Sequence, residues 1–293
     1  MIKGLVSVIV TCYNQEHCII RTLESVANQT YTNLECIVVD DESSDKSNQV
    51  IKKYIQKDNR FKLIRHANKG LARSRNAGFR ITQGEYIQFL DGDDTLLPEK
   101  LKLQQEALVK NQGAMVCICK SRFFIESNNT YKYHDFEQIS SQPLEQLIYK
   151  WNVEVSFTPH SPIYKREIWG KDELPFQEDY HYWCEDWVFN VLLAMKGFEY
   201  VILDEVLCNY HMHEENFTSN KTDLIAAAIH AATYLHPKLP NKYKKDFIEH
   251  TIANLLKMYR ETEKIKILKA SGSWRLGNFI TRPFLKLKKI LSV

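Results

Sequence analysis

The chain has 293 residues, of which 44% are hydrophobic and 26% are charged, and its formal net charge is +3. These proportions are ordinary for a globular protein and exclude a disordered or fibrous chain. So small a net charge gives no reason to expect a nucleic-acid partner, and we expect none. Seven cysteines without a Cys-x-x-Cys pair indicate reduced thiols rather than a disulfide framework. With no signal peptide and no apolar run of about 18 residues, we expect a cytoplasmic protein.

The first 110 residues alternate strand-like and helix-like segments, joined by short polar stretches. The strand-like runs are apolar and rich in β-branched residues, and they occupy 5–11, 34–40, 61–66 and 85–90. Apolar residues at helical spacing occupy 16–29, 47–55 and 71–82, and Pro98 begins a further helix. This alternation predicts an α/β fold with right-handed crossovers and a mostly parallel central sheet.

The pattern is less regular after residue 114. It predicts a strand at 115–125, a helix at 143–150, an apolar helix at 187–196 and a pair of short strands within 199–211. From Lys221 onward the chain reads as helical, with breaks at Pro237 and Pro240. We therefore predict two domains, an α/β domain over 1–220 and a helical, basic C-terminal extension over 221–293.

Three polar stretches follow three of the predicted strands directly. They are TCYN at 11–14, DDESSD at 40–45 and DGDD at 91–94. In parallel sheets, ligands bind beyond the carboxyl ends of the strands, so these stretches should face one crevice. An acidic turn can also simply begin a helix, and we assign that role to Asp45.

The DGDD stretch can be compared with three kinds of site, and it matches their residue patterns to different degrees. An EF-hand loop fails because its sixth position is Leu96 rather than glycine and its twelfth is Lys102 rather than glutamate. The series Asp91-x-Asp93-x-Thr95 resembles the nucleophile loop of haloacid-dehalogenase-type phosphatases, although there it follows the first strand and here about the fourth. The third reading is a carboxylate clamp for Mg²⁺ or Mn²⁺ bridging a diphosphate.

Five motifs in fixed order carry a family resemblance over roughly residues 5–215. They are VSVIVTCYN, VVDDESSD, NKGLARSRNAGF, GEYIQFLDGDD and WCEDW. The ordered set resembles the inverting family-2 glycosyltransferases, whose fold is called GT-A. The resemblance implies a metal-dependent hexosyl- or N-acetylhexosaminyltransferase. Its donor would be a nucleotide sugar, first of all a UDP-sugar, and its acceptor a hydroxyl of a glycan or lipid-linked glycan in cell-surface assembly.

The resemblance also implies which residues bind the donor. Tyr13 and Asp41 would line the nucleoside pocket, where an aromatic face can stack on the base and a carboxylate can accept its imide N–H. Thr11 lines the same strand end. Arg73, near the start of a helix, is preferred to Arg75 as the contact to phosphate oxygens.

For the cation, Mn²⁺ or Mg²⁺, the resemblance implies Asp93 as a direct ligand, while Asp91 holds the ribose or the donor sugar. Asp94 belongs to the turn or adds an outer contact. His213 matches a family histidine placed near the metal or the diphosphate. Relatives commonly have arginine where this chain has His211, so a permanent positive charge is lost there.

Glu185 and Asp186 match the family's acidic pair at the head of a helix. The resemblance implies that Asp186 is the general base and that Glu185 orients the acceptor, because inversion needs a base opposite the leaving group. The simpler reading is that both carboxylates complement the helix dipole. Nearby, Tyr182, Trp183 and Trp187 could stack on a sugar ring or pack in the core.

Two other functions stay open. A phosphatase would become phosphorylated on Asp91 and need no nucleotide, and a nucleotide- or glycan-binding protein would lack catalysis. The segment 263–293 has eight Lys or Arg and, after Glu263, no acid. It could contact an anionic membrane peripherally, join subunits of a homo-oligomer, or pack as a helix.

Overall fold

The computed structural model describes residues 1–65, 67, 70–133, 138–151, 154–213 and 221–261. The basic segment 263–293 lies outside these residues, so its membrane contact and its role in assembly stay predictions. In the part of the chain that the structure describes, no helix combines the length and the apolar character needed to span a bilayer.

The strands of the described chain form one nine-stranded sheet in the order β3-β2-β1-β4-β8-β6-β9-β5, with β7 paired to β6. In chain order they are β1 Ile2–Cys12, β2 Leu34–Asp40, β3 Phe61–Arg65, β4 Gly84–Asp91, β5 Thr95–Leu96, β6 Ala114–Ile125, β7 Thr130–Lys132, β8 Pro162–Lys165 and β9 Glu199–Met212.

The helices between and after these strands are α1 Ile19–Ala27, α2 Ser47–Ile55, α3 Leu71–Ile81, α4 Lys100–Lys110, α5 Leu144–Tyr149, α6 Glu185–Ala194, α7 Lys221–Leu235 and α8 Asn241–Glu261. The first four alternate with β1 to β6, as the sequence pattern predicts. The last two form the described part of the C-terminal helical extension.

The strands β3, β2, β1 and β4 are parallel to one another. Thr11 lies opposite both Val39 of β2 and Asp91 of β4, and Cys12 lies opposite Asp40. The carboxyl ends of β1, β2 and β4 therefore meet at one edge of the sheet. This is the edge at which the three polar stretches of the sequence were expected to converge.

The other half of the sheet is mixed. β8 runs antiparallel between β4 and β6, while β9 runs parallel to β6 and antiparallel to β5. The prediction of two short strands within 199–211 was wrong, because β9 is one strand. Its pairing with β6 shifts register on both sides of Lys120, so the ladder continues past the polar residues Asp204 and Glu205.

The core lies on both faces of the sheet. Successive residues of β1 alternate between the two sides, with Ile9 packed in one apolar cluster and Val8 and Val10 in the other. The first cluster also includes α6 and the C-terminal helices, through buried residues such as Leu235 and Phe247. The helical extension thus packs directly against the helix that begins with the acidic pair. The predicted boundary at residue 220 stays a prediction.

Candidate active site

The DGDD loop (residues 91–94) is held tightly against the end of β1. The hydroxyl of Thr11 donates to Oδ1 of Asp91 at 3.2 Å, and the N–H of Gly92 donates to the carbonyl of Thr11 at 2.9 Å. A Cβ at residue 92 would lie 2.7 Å from that carbonyl oxygen, so only glycine allows this close approach. The loop is therefore fixed relative to the neighbouring strand end.

Arg75 of α3 joins the two acidic motifs of the sequence. Its Nη2 donates to Oδ1 of Asp91 at 2.8 Å, and its Nη1 donates to Oε1 of Glu185 at 2.7 Å. The side chain is 1% exposed. Burial alone would lower the pKa of Arg75, but the two carboxylates outweigh it and raise that pKa above its usual value. One buried cation thus brings the end of β4 and the start of α6 together.

Arg73, which was preferred from the sequence, points elsewhere. Its Nη2 donates to the carbonyl of Glu178 at 3.0 Å. Residues two apart on a helix do not share a face, so the two arginines of α3 have different surroundings. A sequence signal for Arg75 exists, because it lies on the buried face of α3 with Ala72 and Phe79. An arginine on such a face needs carboxylate partners.

The acidic pair is Glu185 and Asp186, the first two residues of α6. Glu185 is buried against Arg75, whereas Asp186 is half-buried and its Oδ1 accepts the N–H of Trp187 at 2.8 Å. Burial, followed by the negative charge of Glu185, raises the pKa of Asp186 to about 7. A carboxylate with such a pKa accepts a proton more readily than an ordinary aspartate.

Asp93 and His213 lie in contact at the outer side of the DGDD loop. Nε2 of His213 is 3.1 Å from Oδ2 of Asp93, and the carbonyl of Asp93 accepts Nη2 of Arg21 at 2.9 Å. The described residues contain no group of three or more His, Cys, Asp or Glu that could hold a metal. Mg²⁺ is often held by one or two carboxylates with phosphate oxygens completing its shell, so Asp93 fits either cation. The imidazole of His213 is a softer ligand, so the pair fits Mn²⁺ better than Mg²⁺.

Asp94 ties the DGDD loop to β9 from within the core. Its Oδ1 accepts the N–H of His211 at 2.8 Å, and its Oδ2 lies 2.9 Å from Nδ1 of His160. Burial, with Asp93 and Asp91 nearby, raises the pKa of Asp94 well above its usual value, while burial lowers the pKa of His160 to about 4. Both shifts favour uncharged side chains. This contact was missed from the sequence, since the two residues lie far apart along the chain.

His211 occupies the position where an arginine was expected from the resemblance. Its ring is buried, and its Nε2 lies 3.0 Å from the hydroxyl of Thr95. Burial lowers the pKa of His211 to about 4. The residue is therefore neutral at neutral pH and supplies no positive charge for a phosphate.

The predicted nucleoside end lies beside the same strand ends. Tyr13 is 50% exposed just after β1, and buried Asp41 follows β2, where its Oδ2 accepts the N–H of Gly70 at 3.0 Å. Gly70 has φ of +86°, a conformation that favours glycine. Asp45 accepts the N–H of Ser47, the first residue of α2, at 2.9 Å. The N-cap of α2 is Lys46 and no side chain caps it, so the prediction of Asp45 as the cap was wrong by one residue.

Comparison with known proteins identifies the family. The family model described as "Glycosyl transferase family 2" matches residues 7–170, which is more than half of the chain. The chain belongs to glycosyl transferase family 2. The matched range contains the DGDD loop and Arg75 but ends before the acidic pair and His213.

Two named glycosyltransferases align with most of this chain. The uncharacterized glycosyltransferase EpsJ of Bacillus subtilis is 30% identical over 220 residues, which span 73% of this chain and 63% of EpsJ. The chain thus spans less than two thirds of that relative. WfgD of Escherichia coli is named a UDP-Glc:alpha-D-GlcNAc-diphosphoundecaprenol beta-1,3-glucosyltransferase. It is 28% identical over 229 residues, 74% of this chain and 81% of WfgD.

A solved structure of similar fold is that of S. aureus TarS 1–349 in complex with UDP. The TM-score is 0.62 at 23% sequence identity, and the match covers 92% of this chain and 76% of that chain. The predicted GT-A fold, with a mostly parallel central sheet and a helical C-terminal region, is confirmed. Membership of family 2 also favours the transferase over the phosphatase reading of the DGDD loop.

Proposed function

We propose that the protein is a metal-dependent, inverting glycosyltransferase of cell-surface glycan assembly that uses a UDP-sugar. The observation that carries the proposal is the double ion pair of Arg75, which connects Asp91 of the donor clamp with Glu185 beside the base. Family membership supports the reaction class. UDP in the name of WfgD and in the TarS complex supports the donor, and the name of WfgD supports a lipid-linked acceptor.

The donor would lie along the carboxyl ends of β1, β2 and β4. Exposed Tyr13 can stack on the base, and Asp41 can accept its imide N–H. Asp91, held by Thr11 and Arg75, would face the ribose or the donor sugar. To contact a donor phosphate, Arg73 would have to exchange its hydrogen bond to the Glu178 carbonyl for one to a phosphate oxygen.

Asp93 and His213 would hold the divalent cation, Mn²⁺ or Mg²⁺. When bound, such a cation offsets the negative charge that builds on the departing nucleoside diphosphate. The protein contributes the position of this pair. The hydroxyl of Thr22 lies 2.8 Å from the carbonyl oxygens of both Gly92 and Asp94, which share its one proton, and this contact fixes the loop on α1.

Asp186 would act as the general base. Its carboxylate takes the proton of the acceptor hydroxyl while that oxygen forms a bond to the anomeric carbon. The bond from this carbon to the diphosphate oxygen breaks, and its electron pair leaves with the diphosphate. Attack from the face opposite the leaving group inverts the configuration. Burial and then the negative charge of Glu185 keep the pKa of Asp186 raised. Glu185 is itself turned inward to Arg75, so it would position Asp186 rather than touch the acceptor, which corrects the role that the sequence predicted for it.

The test uses the full chain and measures thermal shift with UDP, GDP and dTDP, each with and without Mn²⁺, together with UDP release from UDP-glucose and UDP-N-acetylglucosamine. We expect UDP with Mn²⁺ to stabilise most, and Asp93→Ala to lose the Mn²⁺-dependent part of the shift. Asp172→Asn, an exposed carboxylate, is the matched control and should behave as wild type. Stabilisation by none of the nucleotides would refute the function, and preference for GDP would refute the UDP donor.

A further inference from the structure

Two large aromatic side chains are exposed immediately before the acidic pair. Tyr182 is 53% exposed and Trp183 is 51% exposed. Aromatic neighbours that stay exposed together beside the proposed base indicate a binding surface. Ligand sites are commonly lined by aromatic residues with a few polar groups between them.

Contacts with α7 and contacts within the loop itself hold the aromatic loop (residues 178–184) in place. The ring of Tyr182 stacks on His230 of α7, with centroids 3.8 Å apart and planes 3° apart. Buried Tyr180 donates its hydroxyl to the carbonyl of Trp183 at 2.7 Å, and its ring meets that of Tyr182 at 5.8 Å. These contacts hold the ring of Tyr182 and the backbone of Trp183 in place.

The helical extension supplies much of that support. The ring of Tyr234, also on α7, lies 5.1 Å from that of Tyr180, and its hydroxyl donates to Oδ1 of Asp179 at 2.7 Å. Together with the stacked His230, these contacts tie both ends of the aromatic loop to α7. The extension thus contributes to the surface beside the acidic pair.

A turn at Cys184 separates the exposed rings from the acidic pair. Cys184 has φ of +66°, which is strained for a residue other than glycine. Its side chain is buried, and Glu185 on its far side turns inward to Arg75. Even a fully extended chain would place the Cα atoms of Trp183 and Asp186 at most about 11 Å apart. An acceptor stacked on Trp183 is therefore within reach of Asp186.

We propose that Tyr182 and Trp183 form the acceptor subsite, and that the acceptor presents a pyranose ring whose apolar C–H face stacks on them. This inference rests on the proposed function and names its acceptor class. Residues 178–186 carry four carboxylates and no Lys or Arg. Two of the four are paired with arginine, Glu178 with Arg80 and Glu185 with Arg75. The preference for an uncharged sugar ring over a polyol phosphate therefore rests on the exposed aromatic rings and not on charge.

The experiment uses the full chain with UDP and Mn²⁺ and records saturation transfer by NMR to methyl β-glucopyranoside, methyl N-acetyl-β-glucosaminide and ribitol 5-phosphate. We expect transfer to the C–H protons of a pyranoside and less to the open-chain compound. Trp183→Ala should weaken pyranoside binding about tenfold, while Trp183→Phe keeps a stacking face and should restore most of it. Val109→Ala, which trims an equally exposed apolar residue on α4, should change nothing.

The outcomes separate the two proposals. If UDP stabilises the protein but no pyranoside gives a signal, or Trp183→Ala leaves the signal unchanged, the acceptor subsite is refuted and the function is not. Stronger transfer to ribitol 5-phosphate also refutes it. If UDP fails to bind but the pyranoside signal depends on Trp183, the subsite stands and the proposed donor falls. His230→Ala should weaken pyranoside binding less than Trp183→Ala, since it removes only the support of Tyr182.

Discussion

The proposed donor side and the proposed acceptor side of the site are built by different means. On the donor side, the ends of β1, β2 and β4 are in register, and backbone hydrogen bonds fix the DGDD loop to Thr11. On the acceptor side, a loop with a strained turn at Cys184 is held by ring stacking and hydroxyl groups against α7. The difference is between a proposed site fixed by backbone register and a proposed surface fixed by side-chain contacts.

The largest expected effect comes from Asp186→Asn, a change confined to the acceptor side. Turnover should fall by about 10² to 10⁴ because the base is lost, while the shift produced by UDP and Mn²⁺ stays as in wild type. Glycosyl transfer and thermal shift, measured on the same samples, check this. Wild-type turnover in the variant would remove Asp186 from the mechanism.

Asp186→Asn should also raise Tm near pH 8. The folded-state pKa of Asp186 is about 7 and lies above its unfolded value, so the folded chain holds the proton more tightly. Its contribution to stability is therefore present at low pH and is lost as pH rises to about 7. Asparagine avoids the buried charge. A lower Tm for the variant at pH 8 would contradict the raised pKa.

Arg75→Met should damage both sides at once. It leaves Asp91 and Glu185 without their buried partner, and the loss of one member of a buried ion pair costs about 3–5 kcal/mol. Urea unfolding should show that decrease in the free energy of unfolding. Arg73→Ala, on the same helix, removes a side chain that donates to the Glu178 carbonyl and should lose far less. Equal losses would mean that Arg75 is not the connection between the two sides.

Gly92→Ala should damage the donor side alone. The added Cβ would lie 2.7 Å from the carbonyl oxygen of Thr11, so the loop must shift, at a cost of about 1–3 kcal/mol. Stabilisation by UDP and Mn²⁺ should weaken, while pyranoside binding to Trp183 persists. Gly113→Ala is the control, because its Cβ would meet only the flexible Glu199 carboxylate at 3.2 Å. If both variants bind UDP equally, the close contact has no functional role.

The smallest expected effect is a shift in the pH dependence of turnover, produced by Glu185→Gln. Because the pKa of Asp186 is raised, turnover should increase with pH and level off above about 7. Glu185→Gln removes the adjacent negative charge, so the midpoint should move to lower pH. Rates measured from pH 5.5 to 8.5 at saturating donor test this. An unmoved midpoint would show that burial alone sets the pKa.

The sequence predicted those parts of the molecule that depend on local pattern. Alternating segments gave the parallel strands β1 to β4, and the polar residues after them located Asp41, Asp91 and Asp93 at one edge. Two features depend on distant partners and were missed. Arg75 meets Glu185 110 residues later, and Asp94 meets His160, so no local spacing reveals either contact. β9 was split in two because its central polar residues interrupt the strand pattern.

The shared guanidinium has a consequence for engineering by domain exchange. The end of β4 and the start of α6 each bring one carboxylate to Arg75, and α3, which carries the arginine, lies before both in the chain. A chimera that swaps the segment after α3 keeps the guanidinium and must import an acid at position 91 and another at position 185 to match it. Chimeras that keep both acids opposite Arg75 should fold. Chimeras that lack either acid leave the buried guanidinium short of a partner and should be less stable or fail to bind nucleotide.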